Sequence, residues 1–147
     1  MDSPIPTGEA PGSGPAVDLA GPSGSLSLQI AARHLGRRVR IVIDRPYGSA
    51  HPVHGFRYET NYGYLPGTRA PDGEELDAYY LGPREPLAAA EGTCIAIVHR
   101  LGDDDDKLVV VDDSYHPTDA EILAAVAFQE IPGQHQLIRS ARTSPRR

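Results

Sequence analysis

Cysteine is nearly absent from this chain. Cys94, in an apolar run, is the only one, so no internal disulfide framework can form, which suits a reducing cytosol. Long apolar stretches are missing too. None approaches the ~18 residues that a membrane-spanning helix needs. The N-terminal "MDSPIPTGEA" lacks the basic-then-apolar order of a secretory signal. The expectation is a cytoplasmic protein with no membrane partner. Positive charge is sparse: 14 Lys and Arg against 20 Asp and Glu give a net charge of -6. Arg37, Arg38 and Arg40 form one small group, and Arg139, Arg142, Arg146 and Arg147 lie near the end. A nucleic-acid backbone calls for clustered cations, so no nucleic-acid partner is expected.

What is present is enough chain for one domain: 147 residues. Residues 1–25 are rich in Gly, Pro, Ala and Ser and hold few large apolar side chains. Such a composition does not offset its ordering entropy, so this segment is expected to be a disordered tail. Residues 26–140 make the expected folded domain, and 141–147 a basic C-terminal tail.

"LSLQIAARHLG" (26–36) fits a short helix or a lead-in. "RRVRIVID" (37–44) sets Val39, Ile41 and Ile43 on one face, a half-buried strand that Pro46 ends. "FRYETNYGYL" (56–65) reads as a second strand or extended segment, followed by a Pro66-Gly67 type II turn. After the Asp72-Gly73 turn, "ELDAYYLG" (75–82) is a strand, and "TCIAIVHR" (93–100) and "KLVVVDD" (107–113) form a hairpin. "PTDAEILAAVAFQE" (117–130) is a helix, with a Thr118/Glu121 capping box and a Pro132-Gly133 stop. Its Ile122, Leu123, Val126 and Ala127 are expected to pack on the sheet. "HQLIRS" closes with a short strand. There is no internal repeat. Strands followed by one late helix predict an α+β, mostly β fold, a small closed barrel of five short antiparallel strands.

Two acidic groups stand out: Asp72, Glu74, Glu75 and Asp77, and the run Asp103 to Asp106 before Lys107. Taken alone, the second reads first as a solvated loop, and the first reads equally as a loop or a site. Together, on neighbouring turns, they can converge at one barrel end. Oxygen ligands without clustered Cys or His suit hard cations, Mg²⁺ or Mn²⁺, and such ions usually serve phosphate chemistry. Tyr58, Tyr62, Tyr64, Tyr79 and Tyr80 serve first as core rings. Beside an acidic site, the Tyr62 hydroxyl can also donate to a phosphate oxygen. His51, His54 and His99 fit either a site role or an ordinary core or surface one.

The order "NYGYLPGT", "DGEELD", then an acidic loop ending in Asp-Lys before Leu-Val-Val, resembles the soluble family I inorganic pyrophosphatases over about residues 37 to 130. The resemblance implies a five-stranded OB-like barrel with a helix alongside and hydrolysis of pyrophosphate with several Mg²⁺ ions. Members of that family are often multimers. Asp72 and Asp77 match the outer acids of the family's D-x-D-x-x-D loop, and Asp105 and Lys107 match the last positions of its second acidic motif. Asp44 falls where the family has a glutamate. The implied metal ligands are therefore Asp44, Asp72, Asp77 and Asp105, with Asp104 added from the loop. Tyr58 and Tyr62 fall on the family's two tyrosines. Glu74 takes the middle position, where the family's aspartate accepts a proton from the attacking water. The implied catalytic set is Glu74, Tyr62 and Lys107.

The departures lie on the phosphate-clamping side. The first aspartate of the second motif falls on Arg100, and the hairpin carrying the family's Lys-x-Glu is shortened to "YGSAHPVHGFR". The Tyr-Lys pair after the helix is missing. Arg45, Arg57 and His51, beside Tyr58, are the expected substitutes for binding phosphate. The leading expectation is a Mg²⁺-dependent pyrophosphatase. The alternatives are a hydrolase of a larger diphosphate ester or nucleotide, and a non-catalytic metal- or phosphate-binding module. A nucleic-acid-binding OB fold is disfavoured by the acidic loops.

Overall fold

The computed structural model describes residues 25–101 and 105–139. Eight elements follow in order: α1 (Leu26–Ala32), β1 (Arg38–Arg45), β2 (Asn61–Leu65), β3 (Leu76–Leu81), β4 (Ala89–Arg100), β5 (Lys107–Val111), α2 (Asp119–Val126) and β6 (His135–Arg139). The strand order β1-β2-β3-β5-β4-β6, with an added β1–β4 pairing, closes five strands into a ring; β6 pairs with Ala96–Arg100 of β4, beyond the Ala89–Thr93 stretch that β1 holds. This is the small closed barrel expected from the sequence. The all-antiparallel expectation needs one correction: β3 and β5 run parallel, with Asp77 opposite Lys107. The chain passes from β3 to β4 and returns as β5 between them, which fixes that direction. The mid-barrel hairpin holds, since β4 and β5 are antiparallel.

Alternation along the strands sends side chains to two apolar clusters. Ile41, Ile43, Ala78, Tyr80, Leu108 and Val110 join one, with Leu28 and Ala31 of α1. Tyr62, Tyr79, Leu81, Val109 and Val111 join the other, with Ile122 and Val126 of α2. Both faces of β5 are thus buried, which is why "LVVV" is continuously apolar rather than alternating. In β4 the pairing register slips between Cys94 and Ala96. That bulge lets Cys94 face the first cluster and Ala96 the second although they are two apart.

Gly63 lets β1 and β2 approach. A Cβ on it would sit 1.8 Å from the Val42 carbonyl oxygen of β1, so no side chain fits where the two backbones meet.

Three local expectations change. The expected strand over 56–65 pairs as a ladder only from Asn61. Residues 47–58 instead fold as a small hairpin, with Gly48 N–H donating to Tyr58 and Tyr58 N–H to Ser49. The fully buried Asn61 sets the boundary: its side chain accepts from Tyr47 and Leu87 N–H and donates to the Glu85 carbonyl. The late helix spans eight residues rather than the expected 117–130. It keeps its Thr118/Glu121 capping box, but Gln129 N–H reaches back only three residues, to Val126. Ile122 and Val126 are buried, whereas Leu123 is 38% exposed and Ala127 also faces out. A helix this short turns a single i, i+4 pair to the sheet. Of the two readings of residues 26–36, the short helix is found: α1 is capped by Ser25, whose hydroxyl accepts from Leu28 N–H at 3.0 Å. The expected tails, and Asp103 and Asp104, lie largely or wholly outside the described residues.

Candidate active site

The strand register assembles the site. Side chains alternate across a strand, so Asp77 and Tyr79 of β3 share a face, as do Lys107 and Val109 of β5. That is the α2-facing side. Tyr62 lies opposite Tyr79 on β2 and packs against its ring at 5.0 Å between centroids. Tyr58 stacks in turn on Tyr62 at 5.4 Å. Arg45, at the end of β1, lies opposite Tyr62, with Asp44 beside it.

Asp77 is the electrostatic centre. Burial pushes its carboxyl up to about 6, and the nearby Asp105 and Asp44 carboxylates push the same way. A hydrogen bond from Tyr62 and the Lys107 charge oppose this and do not cancel it. Tyr62 is itself held well above its ordinary value, first by burial and then by Asp77. Tyr58 is raised by burial and lowered by Arg45. Asp44, Arg45, Tyr58, Tyr62, Asp77, Asp105 and Lys107 therefore act within one field. The sequence reading named all seven as site candidates, and the fold brings them together from four strands and two loops.

Other candidates lie apart. Asp72 and Glu74 are exposed on the turn before β3, where the Asp72 carboxylate accepts from Glu74 N–H at 2.9 Å. Arg57 is exposed and donates to the Gly48 carbonyl at 2.9 Å, so it ties the hairpin. His51 sits at the hairpin tip, where its Nδ1 accepts from the N–H groups of Val53 and His54. Its ring stacks towards Tyr58 at 6.0 Å. Asp104 is outside the described residues.

The sequence reading missed Glu130. This carboxylate is 2% exposed and accepts from Tyr79 Oη at 2.6 Å and from Lys107 Nζ at 2.8 Å. Arg100 Nε stands 3.3 Å from its second oxygen, an ion pair without hydrogen-bond alignment. Burial raises its pKa, but Lys107, Tyr79 and Arg100 outweigh that and hold it low. Arg100 also binds Asp105 at 2.7 Å, and Lys107 reaches the same Asp105 oxygen at 4.0 Å. Two cations and two carboxylates thus alternate in a ring. The residue expected to break the acidic motif, Arg100, lies inside the site and neutralises Asp105. The only advance signal for Glu130 was an acid just before a helix stop, a pattern shared by many solvated residues.

The next residue steadies this loop. Asp106, 4% exposed, accepts from His99 at 2.8 Å and from Arg100 N–H at 3.1 Å. Its amide donates to Ser27 Oγ of α1 at 3.4 Å.

The donor chemistry fits a hard divalent cation. The converging groups are carboxylates, and the pKa of Asp77 is raised first by burial and then by the Asp105 and Asp44 charges. They do not form a finished cage: among the described residues, no three Asp, Glu, His or Cys side chains lie close enough to hold a metal ion.

Comparison with known proteins gives the same answer as the motifs. No curated protein matches the chain. Among solved structures, an inorganic pyrophosphatase from Helicobacter pylori superposes with a TM-score of 0.53 at 15% identity, covering 73% of this chain and 84% of that one. An inorganic pyrophosphatase from Ehrlichia chaffeensis gives a TM-score of 0.50 at 18% identity, covering 64% and 80%. At such identities these likenesses show a shared fold. The inorganic pyrophosphatase family model matches residues 39–136, two thirds of the chain and, but for Arg38, all five strands of the ring. The chain belongs to the inorganic pyrophosphatase family, hydrolases of phosphoric anhydrides.

Proposed function

We propose that this protein hydrolyses inorganic pyrophosphate to phosphate with Mg²⁺, at the cluster centred on Asp77. The observation that carries this reading is that the Asp44 and Asp105 charges both act on the half-buried Asp77, which lies opposite the buried Lys107. Asp77, Asp44 and Asp105 would hold the metal, with Asp104 and Asp72 joining from their loops. Bound there, the ion would neutralise phosphate oxygens and make water a better nucleophile near neutral pH.

The chain's own residues do the rest. Lys107, fixed by Glu130, presents a positive charge beside the Tyr62 ring, 5.7 Å from its centroid. Tyr62, its hydroxyl kept protonated by burial, donates to Asp77 and would turn that hydrogen bond to a phosphate oxygen once a metal takes the Asp77 carboxylate. Arg45 and Tyr58 bind the phosphate on the hairpin side, with His51 and Arg57 further out. Glu74 accepts the proton of the attacking water. Its exposed turn must bring it inward on substrate binding, because about 1 Å of misplacement can cost a hundredfold in rate.

The test is phosphate release from pyrophosphate with Mg²⁺ or Mn²⁺, beside a panel of nucleotides and other diphosphates. Turnover of pyrophosphate is expected to exceed that of the panel. Glu74→Gln is expected to lower it by roughly 10²- to 10⁴-fold, the usual contribution of a general base. Full activity in that variant would remove Glu74 from the base role. Release from no substrate would leave a binding module.

A further inference from the structure

A second charged recess lies away from the acid cluster. It has a volume of about 450 Å³ and is lined by Ile30, Arg33, His34, Arg37, Thr68 and Arg69, within the range of small-molecule sites. Among the described residues, three of its six lining side chains are arginines, a fourth is a histidine, and none is an acid. This is unusual in a chain of net charge -6.

Its arginines are not committed to carboxylates among the described residues. Arg69 donates to the Gly73 carbonyl at 3.4 Å. Arg33 and Arg37 are exposed, and both line the recess. Arg33 is the C-cap of α1, and a helix C-terminus carries about half a negative charge. That offsets only a small part of three guanidinium charges. The remainder is felt at His34, whose pKa is lowered by burial and then by Arg37 and Arg33. Guanidinium groups bind phosphate oxygens in forked pairs.

We propose that this recess is a second anion site, taking the phosphate groups of a multivalent phosphate ligand. The chemistry is that of a phosphoryl oxyanion, shared by free inorganic phosphate, pyrophosphate and nucleotides. The site joins two parts of the molecule. Arg33, His34 and Arg37 belong to α1 and the segment after it, while Thr68 and Arg69 belong to the turn that carries Asp72 and Glu74. Thr68 Oγ1 accepts from Leu76 N–H at 2.9 Å, one residue before Asp77, and donates to the Leu65 carbonyl at 2.7 Å. An occupant would therefore fasten the turn that leads into the acid cluster, which makes the recess a place for control by phosphate compounds.

The test uses the full chain with EDTA present, so that metal-dependent binding at the acid cluster is suppressed. Inorganic phosphate, pyrophosphate and ATP are titrated against sodium chloride of matched ionic strength. Binding is read by thermal shift, calorimetry and the NMR signals of the histidine rings. A melting point raised by a phosphate ligand beyond the salt control is expected, with the His34 ring signal moving and its pKa rising as the anion arrives. Each of Arg33→Gln, Arg37→Gln and Arg69→Gln is expected to weaken the affinity by roughly tenfold, the usual size for a charged hydrogen bond. All three are exposed, and pyrophosphate turnover should persist in them. The ranking of the three ligands identifies which source fits best. The proposal is overturned if no phosphate ligand exceeds the salt control. It is equally overturned if binding is unchanged in the variants, or if the His34 signal stays still while the protein is stabilised. A wild-type chain that binds anions here but hydrolyses nothing would refute the catalytic reading and leave this one standing.

Discussion

Asp77 shows how a site residue works against the fold that holds it. Its carboxyl sits at about 6 instead of the ordinary 3.8, chiefly because it is buried and then because Asp105 and Asp44 repel its charge. The folded state holds the proton more tightly than the unfolded chain does. The stability this gives is fully present below about pH 4 and is lost as the pH rises through about 6. Asp77→Asn removes the charge and keeps the shape. In metal-free solution it should melt several degrees higher than wild type at pH 7.5, a gain of about 1 to 3 kcal/mol, and the difference should vanish near pH 4. Mg²⁺ should stabilise wild type by mass action and the variant much less. Melting curves across pH, with and without Mg²⁺, check both parts. A variant no more stable than wild type at pH 7.5 would show that Asp77 is ionised there without strain. The same residues mark the limit of sequence reading. Asp77 and Lys107 stood out because they belong to two dense acidic runs that resemble the family's two acidic motifs. Glu130 did not, because its partners Lys107, Tyr79 and Arg100 are 23, 51 and 30 positions away and only the fold joins them.

Elements were legible where their signal is local. The alternation of Val39, Ile41 and Ile43, the Thr118/Glu121 capping box and the Pro66-Gly67 turn each act within a few residues, and each is found in place. The parallel β3–β5 pairing, the bulge after Cys94 and the early end of α2 depend on ring closure and on side-chain anchors, which no local pattern carries. Gly63 belongs to this second kind. Its position within "NYGYL" suggests a turn or a loose strand, but its cause is the Val42 backbone across the seam. A Cβ at 1.8 Å from that carbonyl oxygen, and 2.8 Å from Ile43 Cα, would force the two strands apart. Because the obstacle is backbone, no rotamer change relieves it. Gly63→Ala should destabilise the barrel by at least about 1 to 3 kcal/mol, the ordinary cost of overpacking. It should also loosen the adjoining Tyr62. Denaturant unfolding gives the first quantity and phosphate release the second. A variant as stable as wild type would mean that β1 and β2 have room to separate.

At the scale of the whole molecule, the barrel closes on itself between Arg38 and Val111: β1, β2, β3, β5 and β4 pair in a ring, and β1 returns to β4 through five residue pairs from Arg38 to Val42. The helices cover its two faces, α1 through Leu28 and Ala31 and α2 through Ile122 and Val126. No strand of the ring is supplied from outside this span. The first 24 residues offer mainly Gly, Pro, Ala and Ser, which bring little apolar area to bury against either face. We therefore expect a chain starting at Ser25 to fold. The cut must spare Ser25, whose hydroxyl caps α1, since losing such a cap costs about 1 kcal/mol. It must also spare Ser27, which accepts from the Asp106 amide beside the acid cluster. The shortened protein should melt within a few degrees of the full chain and release phosphate at a similar rate. A chain starting at Leu28 should lose both contacts and fall in stability and rate together. Paired melting curves and phosphate-release assays on the two truncations decide the matter: a large drop already at Ser25 would show that residues 1–24 contribute to the folded domain.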